Sequence, residues 1–180
     1  RSDGTIDGTY MLKDINLEGS SSPRYMTNVD GMILFTAETA ENGRELWKSN
    51  GSAEGTVFVK DIYPGEESSV PTYSILVSWL FEVNNKVFFP ANDGTAGIEL
   101  WVSDGTTDGT TQIDINKGSQ DSYVTNGFDF DGSNYFIAYD GIHGSELWKS
   151  DGTPEGTQLF IDINEGEEGI YIQEVVIGEN

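Results

Sequence analysis

The chain has no cysteine, a single histidine, few basic residues and no apolar run near the ~20 residues that a membrane-spanning helix needs. Without cysteine there is no disulfide framework, thiolate metal site or cysteine nucleophile. With His143 as the only histidine, any triad must use it, and no Gly-x-Ser-x-Gly nucleophile turn accompanies it, so catalysis is not expected. The 9 basic residues face 31 acidic ones, giving a formal charge of −22. That field repels nucleic-acid phosphates and anionic headgroups, so neither nucleic acid nor membrane insertion is expected. No basic stretch leads into an apolar one at the start of the chain. Helix is also missing: glycine and Asp-Gly interrupt every window long enough to carry a 3.6-residue stripe.

What is present suffices for a packed core, with 36% hydrophobic and 12% aromatic residues. The chain is above all a repeat. Glu45-Leu46-Trp47-Lys48-Ser49-Asn50-Gly51 returns as Glu99-Leu100-Trp101-Val102-Ser103-Asp104-Gly105 and as Glu146-Leu147-Trp148-Lys149-Ser150-Asp151-Gly152, and Arg1-Ser2-Asp3-Gly4 is the tail of a fourth copy. Trp47 to Trp101 spans 54 residues and Trp101 to Trp148 spans 47, a period typical of blades and similar arrays. Each copy runs on through Gly-Thr to an apolar stretch ending in Asp-Ile, at Ile15, Ile62, Ile115 and Ile163. Upstream, Ala37, Ala91 and Ala138 each precede the motif glutamate by 8 residues, which implies a rigid register.

Four short strands per unit are expected, for example 80–83, 87–89, 99–102 and 111–114, punctuated by Asn84-Asn85, Asn92-Asp93-Gly94 and Asp104-Gly105. Continuous apolar runs suit sheets covered on both faces. The expected fold is therefore all-β: tandem four-stranded antiparallel meanders stacked as β-propeller blades, a partial propeller or one closed by oligomerisation. An open linear stack is the alternative. Residues 1–15 are expected to be the last strand of an incomplete blade, 16–62 a blade, 63–115 a blade with an insertion about 64–78, 116–163 a blade, and 164–180 the first strand of the next. Opening in mid-motif, the chain reads as a piece of a longer array.

The motif resembles the bacterial Glu-Leu-Trp-x-x-Asp-Gly-Thr repeat proteins, most closely over residues 144–163. Asn50 and Ser52 depart from the consensus Asp and Thr, and the unit before Asp114 is one residue short. The resemblance implies secreted or cell-surface bacterial proteins with a propeller-like fold and no established enzymatic activity.

Calcium is the one cofactor the chain suggests, since oxygen-rich turns suit it. The Ser-Asp-Gly-Thr turns, with Asp104-Gly105 and Asp151-Gly152, read first as hairpin connections built on Asx turns. A sharper candidate is Asp129, Asp131, Ser133 and Asn134, whose oxygens alternate around a glycine turn but lack the later bidentate glutamate of a full calcium loop. In Glu-Leu-Trp, alternation puts Glu and Trp on one face and Leu on the other. The tryptophans are expected to fill the gaps between units with their indole N–H groups paired. Trp79, in the insertion, is the candidate ligand or assembly residue.

These features point to a non-enzymatic extracellular module acting as a structural, adhesive or filament-forming surface protein. Its partners are expected to be further copies, neighbouring repeats of a longer chain, or cell-surface glycans or proteins. The alternative is a ligand-binding propeller such as a calcium-assisted lectin.

Overall fold

Asp30-Gly31, Asn84-Asn85 and Asp131-Gly132 all adopt positive φ (47° and 80°, 52° and 60°, 50° and 70°). A two-residue hairpin matched to right-handed strand twist requires this conformation, and Asn, Asp and Gly reach it with least strain. In the computed structural model, which describes residues 1–70, 80–167, 169 and 170, each of these turns joins the first two strands of a four-stranded antiparallel meander. The first sheet holds β1 (Arg24–Val29), β2 (Met32–Thr39), β3 (Gly43–Ser49) and β4 (Val57–Lys60). The second holds β5 (Phe81–Val83), β6 (Lys86–Asn92), β7 (Ile98–Ser103) and β8 (Thr111–Ile113). The third holds β9 (Thr125–Phe130), β10 (Ser133–Tyr139), β11 (Ser145–Ser150) and β12 (Gln158–Ile161). No helix occurs among the described residues.

Register explains the constant spacing of the repeat. Between the second and third strands of each sheet, Phe35 lies opposite Trp47 and Ala37 opposite Glu45; Phe89 and Ala91 face Trp101 and Glu99, and Phe136 and Ala138 face Trp148 and Glu146. Inserting or deleting one residue between alanine and glutamate would turn every following side chain to the wrong face.

The apolar core lies between the sheets. One cluster joins Leu46, Val59 and Ile62 of the first unit to Val87, Phe89 and Trp101 of the second. Another joins Leu100, Ile113 and Ile115 of the second to Phe136 and Ala138 of the third, with Trp148 packed against it. A third joins Phe35, Ala37 and Trp47 to Ile15 and Phe58. Leucine therefore faces the following unit in the first two sheets, and tryptophan the preceding unit in all three, as strand alternation demands. The initial strands sit together: β1 lies against β5 and β6, and β5 against β9.

Single residues staple sheet to sheet. Ser69 N–H donates to the Arg44 carbonyl (3.2 Å) while its own carbonyl accepts from Asn92 N–H (2.9 Å), and Ser122 does the same between Ile98 (2.9 Å) and Tyr139 (2.7 Å). The Ser21 carbonyl likewise accepts from Glu38 N–H (2.8 Å).

Three boundaries differ from expectation or fall outside view. Residues 1–15 contain no strand: Arg1 and Tyr10 exchange two 2.9 Å hydrogen bonds that close the turn. Residues 64–69 of the expected insertion belong to the ordinary connection, because Ser69 occupies the stapling place of Ser21 and Ser122. Its residues 71–78 lie outside the described residues, as do Trp79 and, beyond residue 170, the strand expected near the C-terminus.

Candidate functional site

The Ser-Asp-Gly-Thr turn recurs four times with one wiring. In the second sheet Thr106 donates both its N–H (2.8 Å) and its hydroxyl (2.7 Å) to Asp104 Oδ1, Gly109 N–H donates to Thr106 Oγ1 (2.9 Å), and Ser103 and Thr110 hydroxyls join at 2.7 Å. Asp151 with Thr153, and Asn50 with Ser52, repeat it. The carboxylate oxygens thus fold into their own loop, which accounts for the survival of the turn when Asn50 and Ser52 replace Asp and Thr. The Thr106 hydroxyl and N–H hold the Asp104 carboxyl below its ordinary value, helped by Lys48; Thr153 does the same for Asp151, helped by Lys86.

Glu45, Glu99 and Glu146 are fully buried and clamp the chain that leaves the fourth strand. Glu45 accepts from the N–H groups of Ile62 (3.1 Å), Tyr63 (3.1 Å) and Ser69 (3.2 Å) and from the Ser69 hydroxyl (2.6 Å). Glu99 accepts from Ile115 N–H (2.8 Å) and Asn116 N–H (3.4 Å), and Glu146 from Ile163 N–H (2.9 Å) and Asn164 N–H (3.3 Å). Burial pushes Glu45 and Glu99 up to about 7, against the pull of those hydrogen bonds. This latch role is not visible in the sequence: its partners are backbone N–H groups 16 to 18 residues downstream and, for Glu45, Ser69 as well, 24 residues away.

The tryptophans occupy equivalent surroundings, Trp47 beside Ile15, Trp101 beside Ile62 and Trp148 beside Ile115. Their expected N–H pairing is not there: Trp47, Trp101 and Trp148 Nε1 are buried with no acceptor among the described residues. Apolar area, and for Trp101 the Lys60 ammonium 5.7 Å from its ring, sets the position instead.

Asp129, Asp131, Ser133 and Asn134 form the hairpin reading of that segment. Asp129 Oδ1 accepts from Gly132 N–H (3.1 Å), Asp129 and Asp131 are exposed, and Ser133 and Asn134 are buried. Among the described residues Asn134 has no hydrogen-bond partner for either amide atom. No three His, Cys, Asp or Glu side chains gather as a metal-binding group among the described residues.

His143 Nδ1 lies 2.7 Å from Asp140 Oδ2, and this hydrogen bond raises its pKa. Asp140 Oδ1 meanwhile accepts from Ile142 and His143 N–H (both 2.9 Å), as Asp93 Oδ1 does from Thr95 (2.8 Å) and Ala96 (2.9 Å) without any histidine. The carboxylate is therefore a turn former first.

A cleft of about 580 Å³ is the feature that sequence reading missed. Ile15, Trp47 and Phe58 line it together with Asn42, Glu41 and Glu66. Its cause lies in two positions. Between the first and second sheets, the Tyr63 ring packs on Gly94 so closely that a Cβ there would lie 3.0 Å from it; between the second and third, Asn116 Oδ1 would lie 3.1 Å from a Cβ on Gly141. Before the first sheet these places hold Asn16 and Ala40, both of which line the cleft. The alanine in place of glycine was the available signal.

No family model and no curated protein matches the chain. Among solved structures it is similar to a thermostable family-43 glycoside hydrolase, at 18% identity over 78% of this chain and 50% of that one, with a TM-score of 0.34; it spans about half of that protein's length.

Proposed function

We propose that the chain is a non-enzymatic, secreted or cell-surface repeat module whose units stack as propeller blades to build a structural or adhesive surface. The observation that carries this reading is the equivalence of the three tryptophan environments, each closing one unit on the isoleucine of the unit before it. The contact of β1 with β5 and of β5 with β9 favours blades radiating from their first strands over a linear stack. The glutamates, aspartates and threonines that recur with the repeat all hold turns or loops, which is scaffold work. Negative-stain imaging with and without chelator tests the proposal: rings or filaments are expected, and uniformly separate particles of single-chain size would refute it. Aryl-glycoside substrates should show no turnover.

The cleft favours a second reading, a ligand-binding propeller of lectin type. An aromatic floor with a polar rim suits a sugar ring. Calcium assistance would require donors beyond the groups described above. A glycan array separates the readings, since saccharide binding lost in Trp47→Ala but kept in Trp148→Ala would favour the second.

A further inference from the structure

Four buried polar atoms on one face of the second sheet have no hydrogen-bond partner among the described residues: Glu99 Oε1, Trp101 Nε1, Gln112 Nε2 and Asp114 Oδ1. Their positions are neighbours. Trp101 lies opposite Gln112 and Leu100 opposite Ile113, so the next step of the register sets Glu99 beside Asp114. The negative charge of Asp114 is felt at Glu99. Cross-strand partners share a face and stand about 5 Å apart, and residues two apart on one strand about 7 Å. The four side chains therefore start from the corners of one small block.

The groups that could serve these atoms are engaged elsewhere. In the first unit both oxygens of Glu45 are bonded, one of them by the Ser69 hydroxyl (2.6 Å). In the second, the Ser122 hydroxyl comes near Glu99 but donates to the Ile98 carbonyl (3.1 Å). Asp114 turns its other oxygen, Oδ2, to Lys117 (3.4 Å). Across the interface the first sheet offers Leu46, Val59 and Ile62, which are apolar, and the Lys60 ammonium over the Trp101 ring donates to the Thr110 carbonyl (2.7 Å). Gln112 is particular to this unit, since Phe58 and Leu159 stand opposite Trp47 and Trp148. At the same four positions, those units leave unpaired only the indole N–H and one oxygen of Asp61 or Asp162.

Two N–H donors and two carboxylate acceptors select their own complement. A cation would meet the N–H groups and an anion the carboxylates, whereas water accepts two hydrogen bonds and donates two. We infer that the second unit binds one water molecule between the first and second sheets, which accepts from Trp101 Nε1 and Gln112 Nε2 and donates to Glu99 Oε1 and Asp114 Oδ1. A buried water makes about three such bonds, and this place supplies partners for a fourth. The water ties β7 to β8 beside the glutamate latch and gives Gln112 a partner that phenylalanine or leucine would not need. The inference goes beyond the stacking reading, which stands with or without it.

The test is a high-resolution crystal structure of the 180-residue chain. One water-sized density peak is expected within hydrogen-bond reach of at least three of the four atoms. In solution the Trp101 indole N–H, assigned by the loss of its signal in Trp101→Phe, should show a direct NMR cross-peak to a long-lived water. The double variant Gln112→Leu, Asp114→Leu keeps Trp101 and Glu99 but fills the place with apolar side chains, and it should lose both the density and the cross-peak. If that variant does not fold, the wild-type map and spectrum decide. Four outcomes overturn the inference: no density at that place, direct bonds such as Ser122 hydroxyl to Glu99 Oε1, a cation that a chelator removes, or a water that persists in the folded double variant.

Discussion

Asp151 holds its turn by filling the space that a side chain on Gly156 would need. A Cβ there would fall well inside contact distance of the Asp151 carboxylate, and the same holds for Gly109 over Asp104 and Gly55 over Asn50. The carboxylate cannot move aside without losing the Thr153 N–H and hydroxyl. Gly156→Ala should therefore destabilise the fold by about 1–3 kcal/mol, and Asp151→Ala by about 1–2 kcal/mol. Because the second change removes the obstacle created by the first, the double variant should cost clearly less than the sum. Urea unfolding of all four proteins measures that coupling. Additive costs would show that the glycine is required for another reason.

At the scale of elements, the glutamate latch links the third strand of each sheet to the connection that leaves it, and in the first two sheets it is sensitive to pH. Burial raises Glu45 and Glu99 from an ordinary 4.5 to about 7. The folded chain thus binds these two protons more tightly than the unfolded chain does. Their contribution is complete below about pH 4.5, declines as pH rises, and levels off above about 7. Asp104 and Asp151, held low by their threonines, act oppositely, losing their contribution as pH falls below the ordinary 3.8. Stability should peak near pH 4–5, and the wild-type Tm should fall by roughly 5 °C or more between pH 5 and 8. In the Glu45→Gln, Glu99→Gln double variant, calorimetry should find that slope largely flattened; a slope equal to wild type would assign it to other groups.

The elements themselves were readable from the chain: turn dipeptides such as Asn84-Asn85 and the constant interval from Ala91 to Glu99 place β5 and β7 within a residue and the start of β6 likewise, while β6 runs three residues past its expected end. The latch and the cleft were not. Glu45 bonds to backbone N–H groups, which every residue but proline carries, so no side-chain pattern announces the partner. The cleft arises from the difference between Tyr63 on Gly94 and Asn16 near Ala40, which is a matter of volume across two units and not of motif. The first fifteen residues hold the turn of the repeat but no strand.

Across the whole molecule, stability follows from contacts between neighbouring units, because the clusters sit between the sheets and no single centre gathers them. Such an arrangement behaves as a chain of nearest-neighbour couplings. Removing one coupling should then separate the array at that point instead of weakening it uniformly. Trp101 is the largest apolar side chain between the first and second sheets and is 6% exposed. Trp101→Ala should cost about 3–5 kcal/mol and leave the first unit able to open while the second and third remain folded together. Trp47 borders the cleft, so part of its surroundings is already open, and Trp47→Ala should cost less. Hydrogen exchange reads the difference directly. In Trp101→Ala, amides of β2 and β3 should lose protection while those of β6, β7, β10 and β11 keep most of theirs. Uniform loss across all three sheets would mean that the units fold as one cooperative block and that the nearest-neighbour description is wrong.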